Sequence, residues 1–226
     1  MLRTSKSISP VLIIIAGCNG SGKSTYAPAL ITNIHYPIDV IHFDGDKVFK
    51  VEYEKLDDSE YKEQFAKKYT ENKFKDLKEY CKQSKTSFAY ETNFHNNPDK
   101  ITQEFKALGF KTHLHYFCLE NILLAEERVT IRLSKGGHFV GKEDIKDRFA
   151  DGYKNLDKLF SVPDKLFIYD NSTDSLELKE VLRMEQGNVL KYESENNVIN
   201  NIPFLKSLQL KIKPNLQKNK SKGMSM

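Results

Sequence analysis

Residues 17–24 read Gly-Cys-Asn-Gly-Ser-Gly-Lys-Ser, and no other feature restricts the fold of this chain as strongly. The spacing is G-x-x-x-x-G-K-[ST], a phosphate loop, which works only when a strand leads in and a helix leads out. Both flanks are present. Val11–Ile15 is an unbroken apolar run, as expected of a central strand buried on both faces, and residues 23–33 read as a helix. Glycines let backbone N–H groups turn inward around an anion, and the helix N-terminus adds a favourable dipole. Lys23 is placed to neutralise phosphate charge and the Ser24 hydroxyl to ligate Mg²⁺. Gly17, Cys18, Asn19, Gly20, Ser21, Gly22, Lys23, Ser24 and Thr25 are therefore the expected ATP-binding residues.

Strand and helix signals alternate along the rest of the chain, which favours a parallel sheet with helices on its faces. Strands are expected over 39–43, 86–90, 110–119 and 163–169, and helices over 97–108, 120–133 and 142–160. A long charged helix is expected over 58–81, entered through a capping box of Asp57 and Glu60. Tyr61, Phe65 and Tyr69 give it an apolar stripe that Phe74, Leu77 and Cys81 resume after a phase slip. Two short apolar runs around Gln186-Gly187-Asn188 signal a hairpin. The predicted fold is thus α/β, a P-loop NTPase with a five-stranded, mainly parallel sheet, helices on both faces, a helical lid and a small C-terminal hairpin. Residues 1–194 read as one domain and 195–226 as a basic, poorly ordered tail with one short helix at most.

Charge and cysteine usage exclude several classes. The 226 residues carry a net charge of +4, but six lysines and no acid follow Glu195, so the first 195 residues stand at −2. No folded basic stripe for nucleic acid is evident. The three cysteines, Cys18, Cys81 and Cys118, are an odd number without C-x-x-C spacing, which suits a reducing compartment. No apolar run approaches the ~18 residues of a membrane span. The N-terminus imitates a secretory signal, but its apolar core is shorter than the ~7–15 residues such signals use. A cytoplasmic protein is expected. His113 and His115 share a strand face as zinc ligands would, yet lack an evident third ligand.

A phosphate loop does not choose among NTPases. No N-K-x-D sequence reads guanine. Leu133–His138 imitates an ABC signature and Leu166–Asp170 a strand ending in a Walker-B aspartate, but Asn171 stands where a catalytic glutamate would follow. An ABC-like or other ATPase without a small-molecule acceptor stays an alternative, as does a nucleotide-binding regulatory module. The acceptor side favours a kinase. Loops at the carboxyl ends of parallel strands line the ligand crevice, so Asp44-Gly45-Asp46 should face the cradle, with Asp46 as base and Asp44 beside it, unless the segment merely caps a helix. Glu91-Thr92-Asn93 follows the next strand in the same way. Glu91 could hold the Mg²⁺ shell and Thr92 or Asn93 an acceptor hydroxyl, or all three could cap the helix after Pro98. Arg128 and Arg132 lie four apart on one helix face, one turn before Gly136-Gly137-His138, and Arg148 comes one turn into the next helix. Such a lid brings planar donors to the spread charge of a transferring phosphoryl group. Surface ion pairs are the bland alternative for the arginines, and a plain loop position for His138.

Together these pieces resemble the zeta-toxin family of P-loop kinases. The likeness rests on Gly17–Thr25, Phe43–Asp46, Glu91–Asn93, Arg128–Val140, Ile145–Phe149 and Asn155-Leu156, over roughly residues 8–170. Gly141, Asp147 and Phe149 stand where that family usually has proline, arginine and tyrosine. The resemblance implies transfer of the ATP γ-phosphate to a hydroxyl of a nucleotide sugar such as UDP-N-acetylglucosamine, and an antitoxin as partner. It also implies that Lys23 and Ser24 hold ATP and Mg²⁺, that Asp46 is the base, that Glu91 and Asn93 meet substrate and metal, and that Arg132 and Arg148 clamp phosphates.

Overall fold

The computed structural model describes residues 9–32, 39–95, 98–135, 140–173, 178–200 and 202. The apolar run forms β1 (Val11–Ala16), every residue of which is buried, and the phosphate loop leads from it into α1 (Lys23–Thr32). Then come β2 (Val40–Phe43), α2 (Gly45–Lys55), α3 (Lys62–Ser84), β3 (Ser87–Thr92), α4 (Pro98–Ala107), β4 (Lys111–Cys118), α5 (Ile122–Ser134), α6 (Lys142–Leu159) and β5 (Lys165–Asp170). The last elements are β6 (Lys179–Glu185), β7 (Asn188–Tyr192) and α7 (Asn197–Asn200).

The strand order is β2-β3-β1-β4-β5-β6-β7. The first five strands pair in parallel, and β6 and β7 add antiparallel. The expected five-stranded sheet is therefore seven-stranded. The hairpin is no appendage: Gln186 and Gly187, both at positive φ (48° and 77°), form a two-residue turn of the hand that matches strand twist. β6 then hydrogen-bonds to β5 as the sheet's continuation.

One face of the sheet packs on α3, α4 and α6 through Leu12, Ile14, Phe88, Phe105, Leu156 and their neighbours. The other buries Ile13, Ile15 and Phe117 against α1. Val198, Ile199 and Ile202 are fully buried in the first of these cores. The folded body thus continues past 194, because these three side chains complete a core that the hairpin leaves open. Residues 201 and 203–226 of the expected tail lie outside the described residues.

Two expectations about 45–84 are corrected. The segment after Asp44 is a helix, α2, and α3 begins at Lys62 with Tyr61 as a cap that makes no side-chain hydrogen bond, so the Asp57/Glu60 box is not formed. Tyr61, Phe65 and Tyr69 are exposed at 54, 63 and 44 %, whereas Phe74, Leu77 and Cys81 do pack on the sheet. The first turns of α3 turn a small residue, Ala66, inward and pack against α2, leaving no room inside for an aromatic row.

His113 and His115 are core residues. His115 stacks on Phe167 at 4.5 Å and its Nδ1 lies 3.0 Å from the Tyr169 hydroxyl. Among the described residues no group of three or more His, Cys, Asp or Glu could hold a metal ion. Burial first, and Lys165 second, push the His113 imidazole down from 6.5 to about 4. A histidine held neutral in the fold stabilises it fully above its unfolded value and loses that contribution as pH falls through 6.5 toward 4. Urea midpoints should therefore drop between pH 7 and pH 5 by the equivalent of about 2 kcal/mol more for the native chain than for His113→Leu. Equal pH slopes for the two would remove His113 from the account. Among the described residues no helix is long and apolar enough to cross a membrane.

Candidate active site

The carboxyl ends of β1, β2 and β3 open on a crevice of about 500 Å³, lined by the phosphate loop, Asp44–Asp46, Glu91–Asn93 and a stripe of α5. Parallel strands put their following loops on one edge of the sheet, so segments far apart in sequence converge here. Gly17, Gly20 and Gly22 sit at φ 143°, 78° and 92°, conformations that glycine adopts readily. A Cβ at Gly22 would collide with the Asn171 amide, and one at Gly17 with the Phe117 carbonyl. Gly22→Ala should therefore weaken ATP binding more than tenfold in a fluorescent-nucleotide titration. Binding within twofold of the native chain would show that the loop does not need this shape.

Lys23 reaches back across the loop. Its Nζ donates to the Gly17 carbonyl (2.7 Å), the Cys18 carbonyl (2.9 Å) and Asn93 Oδ1 (3.1 Å). Burial lowers its pKa, with Cys18, Glu91 and Asp46 opposing that shift. The ammonium thus rests on two loop carbonyls and Asn93 at the crevice wall, where an arriving phosphate would favour its charged form. Cys18 contributes backbone only; burial pushes its thiol up to about 11. Ser24 Oγ donates to Glu91 Oε2 at 2.6 Å. The Glu91 side chain is 6 % exposed, and its other oxygen lies 3.2 Å from His42 Nε2 without hydrogen-bond alignment. A hydroxyl and a carboxylate with a spare oxygen are the hard donors that Mg²⁺ takes beside phosphate.

Asp44 and Asp46 divide their duties. Asp44 accepts from the Lys47 N–H (3.1 Å) and caps α2, and burial, then Glu91, raise its pKa. The capping reading of this segment thus holds for Asp44. Asp46, two residues later in the first turn of α2, keeps its carboxylate in the crevice, 3.7 Å from Arg132 Nη1. The Nε and Nη2 of Arg132 are buried without a partner. Arg148, on α6, donates to Asn19 Oδ1 of the phosphate loop at 3.3 Å.

Two expected roles shift. Arg128 lines the crevice, but its guanidinium donates to the carbonyls of Asn171 (2.7 Å) and Thr173 (3.5 Å), tying α5 to the turn after β5. Asn93 holds Lys23 rather than standing free for an acceptor hydroxyl, and Thr92 Oγ1 accepts from the Phe94 N–H (3.0 Å). His138 lies outside the described residues. Lys50 and Lys135 also line the crevice, unforeseen from motifs. Their signal was periodicity, since Lys50 follows Asp46 by four and Lys135 follows Arg132 by three. Asn171, which argued against an ABC engine, donates from Nδ2 to the Ser21 carbonyl at 2.9 Å and backs the loop.

The sequence matches the family described as Zeta toxin over residues 2–180. Among solved structures, the PezAT chromosomal toxin–antitoxin system of the human pathogen Streptococcus pneumoniae is similar at 18 % identity, covering 78 % of this chain and 75 % of that one, with a TM-score of 0.56. The AvrRxo1-ORF1:AvrRxo1-ORF2 complex with sulphate ions is similar at 13 % identity, over 88 % of this chain and 65 % of that one, with a TM-score of 0.64. The same pair solved with ATP gives 14 % identity, the same two coverages and a TM-score of 0.63. At such identities the likeness is one of fold. No curated protein matches the sequence significantly.

Proposed function

The chain belongs to the zeta-toxin family, and from that premise we propose that it is an ATP-dependent kinase whose acceptor is a hydroxyl of a nucleotide sugar such as UDP-N-acetylglucosamine. One observation carries this reading. The phosphate-loop lysine, a carboxylate at Asp46 and Arg132, two of whose guanidinium nitrogens are buried without a partner, all line a single crevice. A regulatory nucleotide module has no use for a carboxylate set opposite the cradle; an ATPase would set it on water, and a transferase needs it to orient and deprotonate its acceptor.

In this account the loop N–H groups and Lys23 hold the β- and γ-phosphates, and Arg132, with Arg148, meets the charge that spreads over the transferring group. Ser24 and Glu91 would hold Mg²⁺, which neutralises phosphate oxygens when bound. Asp46 takes the acceptor proton. An adjoining cavity of about 480 Å³, sharing Ser24, Asp44 and Glu91 and walled by Lys47, Tyr69 and Lys73, offers space for the body of an acceptor whose hydroxyl reaches Asp46. Nothing in the crevice selects uracil or the sugar by name; that step rests on the family. An antitoxin partner is proposed on the same ground, and residues 1–194 are proposed to act as one kinase domain.

The test is incubation with ATP, Mg²⁺ and a panel of nucleotide sugars, nucleosides and free sugars, with each acceptor read by mass. A gain of one phosphate on UDP-N-acetylglucosamine is expected. A gain on another hydroxyl compound alone would keep the kinase and replace the acceptor, and no gain on any would overturn the reading.

A further inference from the structure

Helix α6 carries more than Arg148. Gly152 and Asn155 follow Arg148 at i+4 and i+7, so the three side-chain positions share one face. That face meets the turn after β3 at close quarters. A Cβ at Gly152 would stand 2.7 Å from the Tyr116 hydroxyl and 3.2 Å from the Asn93 carbonyl oxygen, tighter than ordinary contact, so only glycine lets the helix approach this far. One turn on, Asn155 Nδ2 donates to two successive carbonyls, Phe94 (2.8 Å) and His95 (3.0 Å).

Those carbonyls belong to a turn that a free chain would avoid. Phe94 sits at φ 62°, a left-handed conformation that is unusual for a bulky residue and persists only where the surroundings enforce it. Its ring is 1 % exposed and lies edge-on to Tyr116, 5.7 Å between centroids. The left-handed residue reverses the chain directly after Asn93, and Asn93 Oδ1 is the only side-chain atom among the described residues that accepts from Lys23 Nζ. Strain, close helix approach and a forked amide thus converge one residue from the group that holds the phosphate-loop lysine.

We infer that Gly152 and Asn155 are positioning residues: α6 fixes the Phe94 turn, the turn fixes Asn93, and Asn93 fixes Lys23. The same helix places Arg148 on Asn19, so one rigid element sets both the loop's lysine and its rim. The inference rests on the reading of Lys23 as a phosphate ligand.

The experiment is a double-mutant cycle on the full chain with a fluorescent ATP analogue and Mg²⁺, accompanied by thermal melts. Asn93→Ala and Asn155→Ala should each weaken nucleotide binding about three- to tenfold. The double variant should bind no more weakly than the worse single one, because the two residues act through one contact. KM for ATP should rise in Asn155→Ala by more than kcat falls. A residue that merely supports the fold would lower the melting temperature while leaving affinity unchanged, or its effect would multiply with that of Asn93→Ala; either result overturns the inference. Should Asn155→Ala not fold, Asn155→Ser, which keeps a donor on a shorter arm, takes its place in the cycle. Lys23→Ala separates the two failures. If it binds nucleotide like the native chain, the phosphate-loop reading is wrong; if it loses binding while Asn155→Ala does not, only the positioning role falls.

Discussion

Arg132→Ala is expected to lower phosphoryl transfer by at least about 10³-fold, the low end of what an arginine on a transferring phosphoryl group contributes. The crevice around it explains the size. Its Nε and Nη2 are buried and without a partner, a costly arrangement for a guanidinium unless an anion arrives to use those donors. Its ion pair to Asp46, at 3.7 Å, is long and joins half-exposed groups, so it adds little to stability. The melting temperature should therefore hold or rise while turnover collapses. Arg132→Lys should recover little, because an ammonium cannot reproduce a planar fork of donors. Turnover within tenfold of the native chain would take Arg132 out of the site.

Asp46→Asn should keep ATP affinity and reduce transfer at least about 10²-fold, the effect expected of a positioned base. The variant is a clean one. The cap of α2 is supplied by Asp44, whose carboxylate accepts from Lys47, so the helix does not depend on residue 46. The amide that replaces the carboxylate fills the same volume with no proton-accepting oxyanion. Undiminished transfer in this variant would move the base elsewhere, with Glu91 as the next carboxylate in the crevice.

The phosphate loop and its strand and helix were legible because each residue there answers to a local demand: glycines at positive φ, a lysine and a hydroxyl at fixed spacing. Asp46 and Glu91 were expected at the crevice, and line it, because parallel strands bring the loops at their carboxyl ends to one edge; Arg132 was expected from its place on a helix face. Where side chains have a choice of partner, sequence could not decide. Arg128 and Arg132 share one helix face, yet one guanidinium turns to Asn171 and the other lies beside Asp46 at the crevice wall. Asn93 has the place of an acceptor contact, yet its Oδ1 accepts from Lys23. The Tyr61–Phe65–Tyr69 row has helical spacing and still faces outward, since periodicity names a face without naming what lies against it. Asn155 acts through backbone carbonyls sixty residues away, and such a contact leaves no pattern in the chain.

On the proposed reading a triphosphate and a hydroxyl compound meet in one crevice and exchange a phosphoryl group there. The most direct measurement follows labelled γ-phosphate from ATP in the presence and absence of UDP-N-acetylglucosamine. The account predicts that label leaves ATP chiefly when the acceptor is present and is recovered on the acceptor, one phosphate for each ADP formed. Release of inorganic phosphate at the same rate with or without the acceptor, and none on the sugar nucleotide, would contradict it.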